Sequence, residues 1–268
     1  MAAIILHEST LRECVGIDRS SLDCVAESFG WLHDGRAMVP PVAHIEAADR
    51  QGEIDIKTAY VRGVDRFAVK IASGFPGNAA RGLPTGSGMM VVFSSETGFC
   101  EAVLLDNGFL TDLRTGLAGA VAADLLAPKA IGTVGILGCG VQARYQLLCL
   151  ALVRKIGRVM VWGRSPNQVS RYVEEMHTRH GYEIETAESA EDLVRQSALL
   201  ITVTASVVRS CGRIGCGRAC TSRPLERISQ ASRNSSRQYW KGRTGCSAIG
   251  SISADTWVNC NIGKATVR

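Results

Sequence analysis

Residues 133–143, TVGILGCGVQA, run an apolar stretch into a glycine turn and then into a helical pattern. Gly138-Cys139-Gly140-Val141-Gln142-Ala143 fits G-x-G-x-x-A, and its context is the one a phosphate-binding turn requires: a strand before it, a helix after it. Gly138 allows the tight turn. Gly140 lets a pyrophosphate come close to the backbone. The helix start offers free N–H groups and a partial positive charge.

The residues that follow extend the pattern. ARYQLLCLALV (143–153) reads as a helix, RVMVWG (158–163) as a second strand and PNQVSRYVEEMHTRHG (166–181) as a second helix. YEIET (182–186) adds a short extended segment, SAEDLVRQ a helix, and ALLITVTA (198–205) a third core strand. Alternating β and α units of this kind predict an α/β fold, the first half of a Rossmann dinucleotide-binding domain over residues 129–206. The second strand ends Trp162-Gly163-Arg164-Ser165, with no acid to read a ribose 2′-hydroxyl. Arg164 can pair with a 2′-phosphate, which favours NADP(H), with NAD(H) the alternative.

Residues 1–128 have a different texture. Residues 16–34 carry helical spacing, with Asp18 or Ser20 as N-cap and Asp34-Gly35 as the end. Between Asp55 and Phe109, short apolar runs (AYV, FAVKIAS, GMMVVFSS, CEAVLLD) alternate with Gly, Asn and Pro turns, predicting a mainly antiparallel sheet. Thr111 is a candidate cap for a long Ala-rich helix to Leu126, stopped by Pro128 and suited to connect two domains.

Three stretches together point to one family: FAVKIASGFPGNAARGLPTGSGMMVVF (67–93), AVLLDNGFLTDLRTGLAGAVAADLLAP (102–128) and TVGILGCGVQARYQL (133–147). The chain resembles the ornithine cyclodeaminase/mu-crystallin family from about Ile5 to Ser206. DIKTAYVRGVDRFAVK (55–70) is most similar to the branch linked to ectoine utilisation. The resemblance implies an N-terminal α+β substrate and dimerisation domain (1–128) in a homodimer, and hydride transfer between a nicotinamide and a small amino or imino acid. It places Lys70 and Arg114 at the substrate carboxylate. Thr85, Arg114, Gly138, Gly140, Val141, Gln142, Arg164, Ser165 and Thr204 fall at the cofactor. Chemistry agrees with the substrate pair, because a carboxylate is best held by an Arg fork and a fixed ammonium. Lys70 lies inside an apolar strand, where a lysine without function is unusual. Arg114 lies early in a helix, where the dipole disfavours a cation. The family has an arginine soon after its PP motif. Here the matching position after Pro40-Pro41 is His44, for which a purely structural reading stands beside substrate binding.

The end of the chain breaks the pattern. After residue 206 there are 11 Lys and Arg against 2 Asp and Glu, while the whole chain has 30 against 25. Five of the ten cysteines (Cys211, Cys216, Cys220, Cys246, Cys260) also lie there. Their spacing does not suit a structural zinc site, and no histidine follows His180, so no metal is expected. Only Tyr239 and Trp240 could stack on bases among the arginines, so no nucleic acid is expected either. The genetic code offers another account. Residues 220–234, CTSRPLERISQASRN, can be encoded by DNA that reads HVTAVGADLPGKQE when started two bases later. In the same frame, residues 209–220 allow ILRTDWVRPGVH and residues 248–261 allow DRIDQCRHVGELQ. All three strings are family-like and in order. The expectation is a frameshift near codon 206, with 207–268 an out-of-frame tail. The family's catalytic Asp, in the GAD loop, then lies in the other frame, and no catalytic residue can be named in this one. That also predicts an unpaired apolar edge on the 198–205 strand.

No run of eighteen apolar residues occurs and the start is not a signal peptide, so neither a membrane span nor export is expected. The chain reads as cytoplasmic, with reduced thiols. The implied activity is a cyclodeaminase or an imine (ketimine) reductase, inactive as translated. The alternative is a non-catalytic NADP(H)-binding protein like the mu-crystallins.

Overall fold

The computed structural model describes residues 2–204 and the backbone of residues 220–222. The chain divides into two compact units between Ala118 and Gly119. That point lies inside the expected connecting helix, whose residues are shared by both units.

In the first unit, β1 (Ile4–His7) leads into α1 (Glu8–Cys14) and α2 (Arg19–His33). The Asp18 carboxylate accepts from the Ser21 N–H at 2.7 Å, so it is the cap of α2. Then come β2 (Ala37–Met38), β3 (Ala43–Ala47), β4 (Gly52–Val61), β5 (Arg66–Gly74), β6 (Gly86–Ser94) and β7 (Cys100–Leu105). The sheet order is β1-β7-β6-β5-β4-β2, with β3 also on β4. All pairs are antiparallel except β1 on β7. Sequence reading missed β1, β3 and α1, which are too short to show a period.

One face of this sheet is buried: Ala59, Ala68, Met90, Val92, Ala102 and Leu104 lie there, with Lys70 among them. The other carries Ile45, Ile54, Ile56, Val69, Ile71, Val91 and Val103, none of them buried, and Ile5 at 61% exposure. The connecting helix α3 spans Phe109–Leu126. It starts before the expected Thr111, because Asp106 Oδ2 accepts from the Leu110 N–H at 2.9 Å. Arg114 therefore sits in the second turn rather than the first.

The second unit contains β8 (Ala130–Leu137), α4 (Val141–Leu150), β9 (Lys155–Trp162), α5 (Pro166–His180), β10 (Ile184–Thr186), α6 (Ala190–Gln196) and β11 (Leu199–Thr202). They form a parallel sheet of order β10-β9-β8-β11, closed by β12 (Cys220–Ser222). This corrects the strand count. YEIET supplies the third strand, and ALLITVTA is the fourth, on the far side of β8. β10 hides in sequence because it is an edge strand with only Ile184 buried. The sheet has thus passed the point where strand order reverses, between β8 and β11. The expected bare edge on β11 is also corrected: Leu200 pairs with Cys220 and Thr202 with Ser222, in parallel. Backbone pairing at an edge needs only an extended partner, not a particular set of side chains. The rest of the expected out-of-frame tail lies outside the described residues.

Candidate active site

In the second unit, the glycine turn joins β8 to α4. Gly138 has φ +109°, and a Cβ there would stand 2.9 Å from the Val203 carbonyl oxygen and 3.1 Å from Thr204 Cγ2. Only glycine serves at such a place. Gly140 is the N-cap of α4 and has no side chain to satisfy the first N–H groups. A Cβ on Gly140 would meet nothing within 4 Å, so the turn has open space beside it at the start of α4. That is the cradle a pyrophosphate needs.

Thr204 lies against Gly138. Arg164 and Ser165 follow β9, where Ser165 is the N-cap of α5 and makes no side-chain cap bond. A cavity of about 220 Å³ opens at the carboxyl ends of β9 and β10, lined by Trp162, Gly163, Val169, Thr186, Ala187 and Glu188 among others. It is placed for the adenosine end of a dinucleotide. Glu188, not Arg164, is the charged residue of its wall.

Sequence reading missed Arg144. Its guanidinium donates to the Cys139 and Gly140 carbonyls at 3.0 and 2.9 Å, and to Glu175 Oε2 at 2.6 and 3.0 Å. It also lies over the Tyr172 ring at 5.2 Å. One side chain thus ties the phosphate turn to α5. Only the fold brings Arg144 and Glu175 together.

In the first unit, register defines three rungs on the face that bears Lys70. Lys57 stands opposite Lys70, and Lys70 opposite Met90. Next come His44, Asp55, Ala72 and Gly88. The third rung holds Glu46, Glu53, Gly74 and Gly86. The small residues of the last two rungs are covered closely: the Gly108 backbone lies over Gly88 and the Glu53 side chain over Gly74. Thr85 immediately precedes Gly86, and its carbonyl accepts from the Phe75 N–H at 2.7 Å.

Lys70 is 3% exposed. Asp106 is fully buried, and its Oδ1 has no hydrogen-bond partner. Burial pushes the Asp106 carboxyl up, against the pull of backbone N–H groups and of the Lys70 charge. His44 is exposed, and its Nδ1 lies 2.7 Å from Asp55 Oδ1. Lys57 Nζ lies 2.8 Å from Asp55 Oδ2. The hydrogen bond to Asp55 raises the His44 pKa. Burial alone would raise that of Asp55, but the bonds from His44 and Lys57 outweigh it and the net shift is downward. Lys70 and His44 are therefore brought to one face, joined by two residues the sequence did not single out.

Comparison with known proteins gives the family and the fold. The profile of the ornithine cyclodeaminase/mu-crystallin family matches residues 3–210. The chain belongs to this family. An uncharacterized cyclodeaminase of Sinorhizobium fredii is 40% identical over 201 residues, covering 75% of this chain and 61% of that protein. The Δ1-pyrroline-2-carboxylate reductase of Thermococcus litoralis, solved with NADH and L-proline, superposes with a TM-score of 0.72 at 33% identity, over 75% of this chain and 62% of the other. An archaeal alanine dehydrogenase dimer with bound NAD gives 0.68 at 31% identity, over 77% and 62%. The chain thus spans less than two thirds of these relatives. Among the described residues, no helix is long and apolar enough to cross a membrane.

Proposed function

We propose that the chain binds a nicotinamide dinucleotide and a small amino or imino acid, in the manner of an imine reductase or cyclodeaminase. The observation that carries this is Lys70, an ammonium almost wholly buried on the face of an apolar strand, beside a floor of Ala72, Gly74, Gly86 and Gly88. A buried lysine in such a strand is unusual, its charge acts on the buried Asp106 carboxyl, and a substrate carboxylate would add a second anion beside it. Arg114 supplies the second cation. The Gly138–Gln142 turn holds the pyrophosphate, Thr85 and Thr204 approach the dinucleotide, and the nicotinamide donates or accepts the hydride. His44 stands where relatives carry arginine and serves as a weaker, pH-dependent substitute. The open face of the first sheet, with Ile5, Val69, Val91 and Val103, is the surface we assign to a homodimer. Val91→Asp should make the chain sediment as a monomer; an unchanged dimer would refute this assignment.

Arg164 favours NADP(H), with NAD(H) also accepted. Titrating both reduced cofactors tests this: equal or tighter binding of NADH would assign the preference to Glu188. Adding L-proline or L-alanine to the cofactor-bound chain tests the site itself. Absence of any binding would refute the substrate reading.

The alternative-frame strings favour a second reading for the chain as translated. Without the family's acidic general acid/base, it binds cofactor and ligand but does not turn over, as in the non-catalytic mu-crystallin reading.

A further inference from the structure

Arg144 stands one helical turn after Gly140 on α4, and its side chain folds back onto the phosphate turn. Nη1 donates to both the Cys139 and the Gly140 carbonyl, while Nε and Nη2 donate to Glu175 on α5. The Gly140 carbonyl also accepts from the Ala143 N–H at 3.1 Å. Both peptides that carry these carbonyls are trans. In a planar trans peptide the C=O and the N–H point in opposite directions, so fixing one fixes the other. Gripping the Cys139 carbonyl turns the Gly140 N–H away from the guanidinium, and gripping the Gly140 carbonyl does the same for the Val141 N–H. The other side of the turn is fixed separately. The Gly138 N–H donates to the Trp162 carbonyl at 2.8 Å, and a Cβ on Gly163 would stand 2.8 Å from Cys139 Sγ. Tyr172 braces α5 against α4: it is fully buried, and its hydroxyl donates to the Ala143 carbonyl at 3.3 Å.

Resting on the assignment of this turn to the pyrophosphate, we propose that Arg144 is a positioning residue for the cofactor: it aims the Gly140 and Val141 N–H groups at the pyrophosphate and makes no contact with the dinucleotide itself. Two observations separate this from a direct phosphate contact. All three guanidinium nitrogens are engaged, on carbonyls of the turn and on Glu175. The charge is paired as well, since the bonds from Arg144 hold the Glu175 carboxyl below the usual carboxylate range. The anion is therefore met by peptide N–H groups rather than by this cation. A planar fork is required, because two carbonyls and a carboxylate are held at once; an ammonium is a point charge on a flexible stem. Glu175 belongs to the same device, because it holds the guanidinium plane in register with the turn.

Titration of the full chain with NADH, followed by nicotinamide fluorescence, tests the proposal with two variants and a control. Arg144→Lys keeps the charge and loses the fork, and should weaken NADH about tenfold, the scale of one hydrogen bond to a charged group. Glu175→Gln keeps Arg144 and its charge but loosens the guanidinium, and should weaken NADH about threefold. The sign of this second change is decisive. An arginine released from its carboxylate would attract a nearby pyrophosphate more strongly if it were a direct ligand, so Glu175→Gln would then tighten NADH. Arg158→Ala removes bonds to Glu185 and Gln196 elsewhere in the same unit, and should leave NADH within about twofold. An Arg144 that only braces α4 against α5 would lower the thermal midpoint and leave NADH as Arg158→Ala leaves it. Should Arg144→Lys fail to fold, Glu175→Gln carries the test through its sign. Tighter NADH in Glu175→Gln, or NADH binding by a folded Arg144→Lys within about twofold of the unaltered chain, overturns the proposal. In those cases only the role of Arg144 falls. If the unaltered chain binds no NADH, the cofactor reading falls and the role of Arg144 with it.

Discussion

Asp55 accepts from two cationic partners at once, and this makes His44 a readable probe of the site. Its pKa is raised above the ordinary 6.5 by the bond to Asp55. A group whose folded pKa is raised contributes stability below its unfolded value and loses it as pH rises through the folded one. Asp55 is shifted the other way, below 3.8, so its contribution is lost as pH falls through the lowered value. The pair is therefore fully formed between these limits and weakens above pH 6.5. Proton NMR should find His44 titrating above 6.5, and Asp55→Asn should bring it down. A His44 pKa unchanged by Asp55→Asn would break the pairing. At this scale the sequence exposes residues whose context is local. Lys70 is conspicuous inside FAVKIAS, and Gly138 and Gly140 inside a strand–turn–helix. Asp55 and Lys57 are not, because ordinary alternation in a half-exposed strand looks the same. Only the β4–β5 register shows what faces Lys70. Arg144 is invisible for a similar reason, since its partners lie on another helix.

Among the elements, α3 is the one on which both units depend, and its end is held by a single side chain. Arg154 is 7% exposed and donates to the carbonyls of Ala123 (3.0 Å), Ala127 (3.2 Å), Pro128 (3.1 Å) and Val153 (2.8 Å). It also bonds the Asp124 carboxylate and carbonyl. The last carbonyls of a helix have no partner of their own, and a cation is favoured there by the dipole. Arg154→Met keeps most of the volume and removes these bonds, though the Ala123 carbonyl still accepts from the Ala127 N–H. It should lower the unfolding free energy by on the order of 2–3 kcal/mol. Denaturant titration would show this, and a loss below about 0.5 kcal/mol would mean that water replaces the guanidinium fully. α3 was legible from its small residues and from Pro128, but its start was not. Asp106 caps it from three residues outside the helix, and Thr111 matched the usual signal equally well. β10 was under-read for the opposite reason: a short edge strand buries one side chain and shows no periodicity to find.

For the whole molecule, the family match ends at residue 210, close to codon 206, where the sequence expectation puts the change of frame. The family assignment rests on residues 3–210, so it stands whichever frame the remaining codons use. The chemistry does not share that independence. Cations that hold a carboxylate and glycines that hold a pyrophosphate bind ligands; a group that moves a proton is also needed for turnover. On the frameshift expectation, that group belongs to the GAD string that residues 220–234 allow in the other frame. Sequencing the gene across codon 206 tests the premise directly, since codons incompatible with HVTAVGADLPGKQE would refute it. A functional comparison tests the consequence. The chain as translated and a version restored to the other frame from codon 206 should both bind NADH, and the cofactor cradle should give affinities within about tenfold. Only the restored version should oxidise NAD(P)H with a cyclic imine, because general acid/base catalysis alone contributes about 100- to 10,000-fold. Equal turnover by both would show that a residue before 206 moves the proton. Lys70, buried beside the orphan oxygen of Asp106, would then be the first residue to examine.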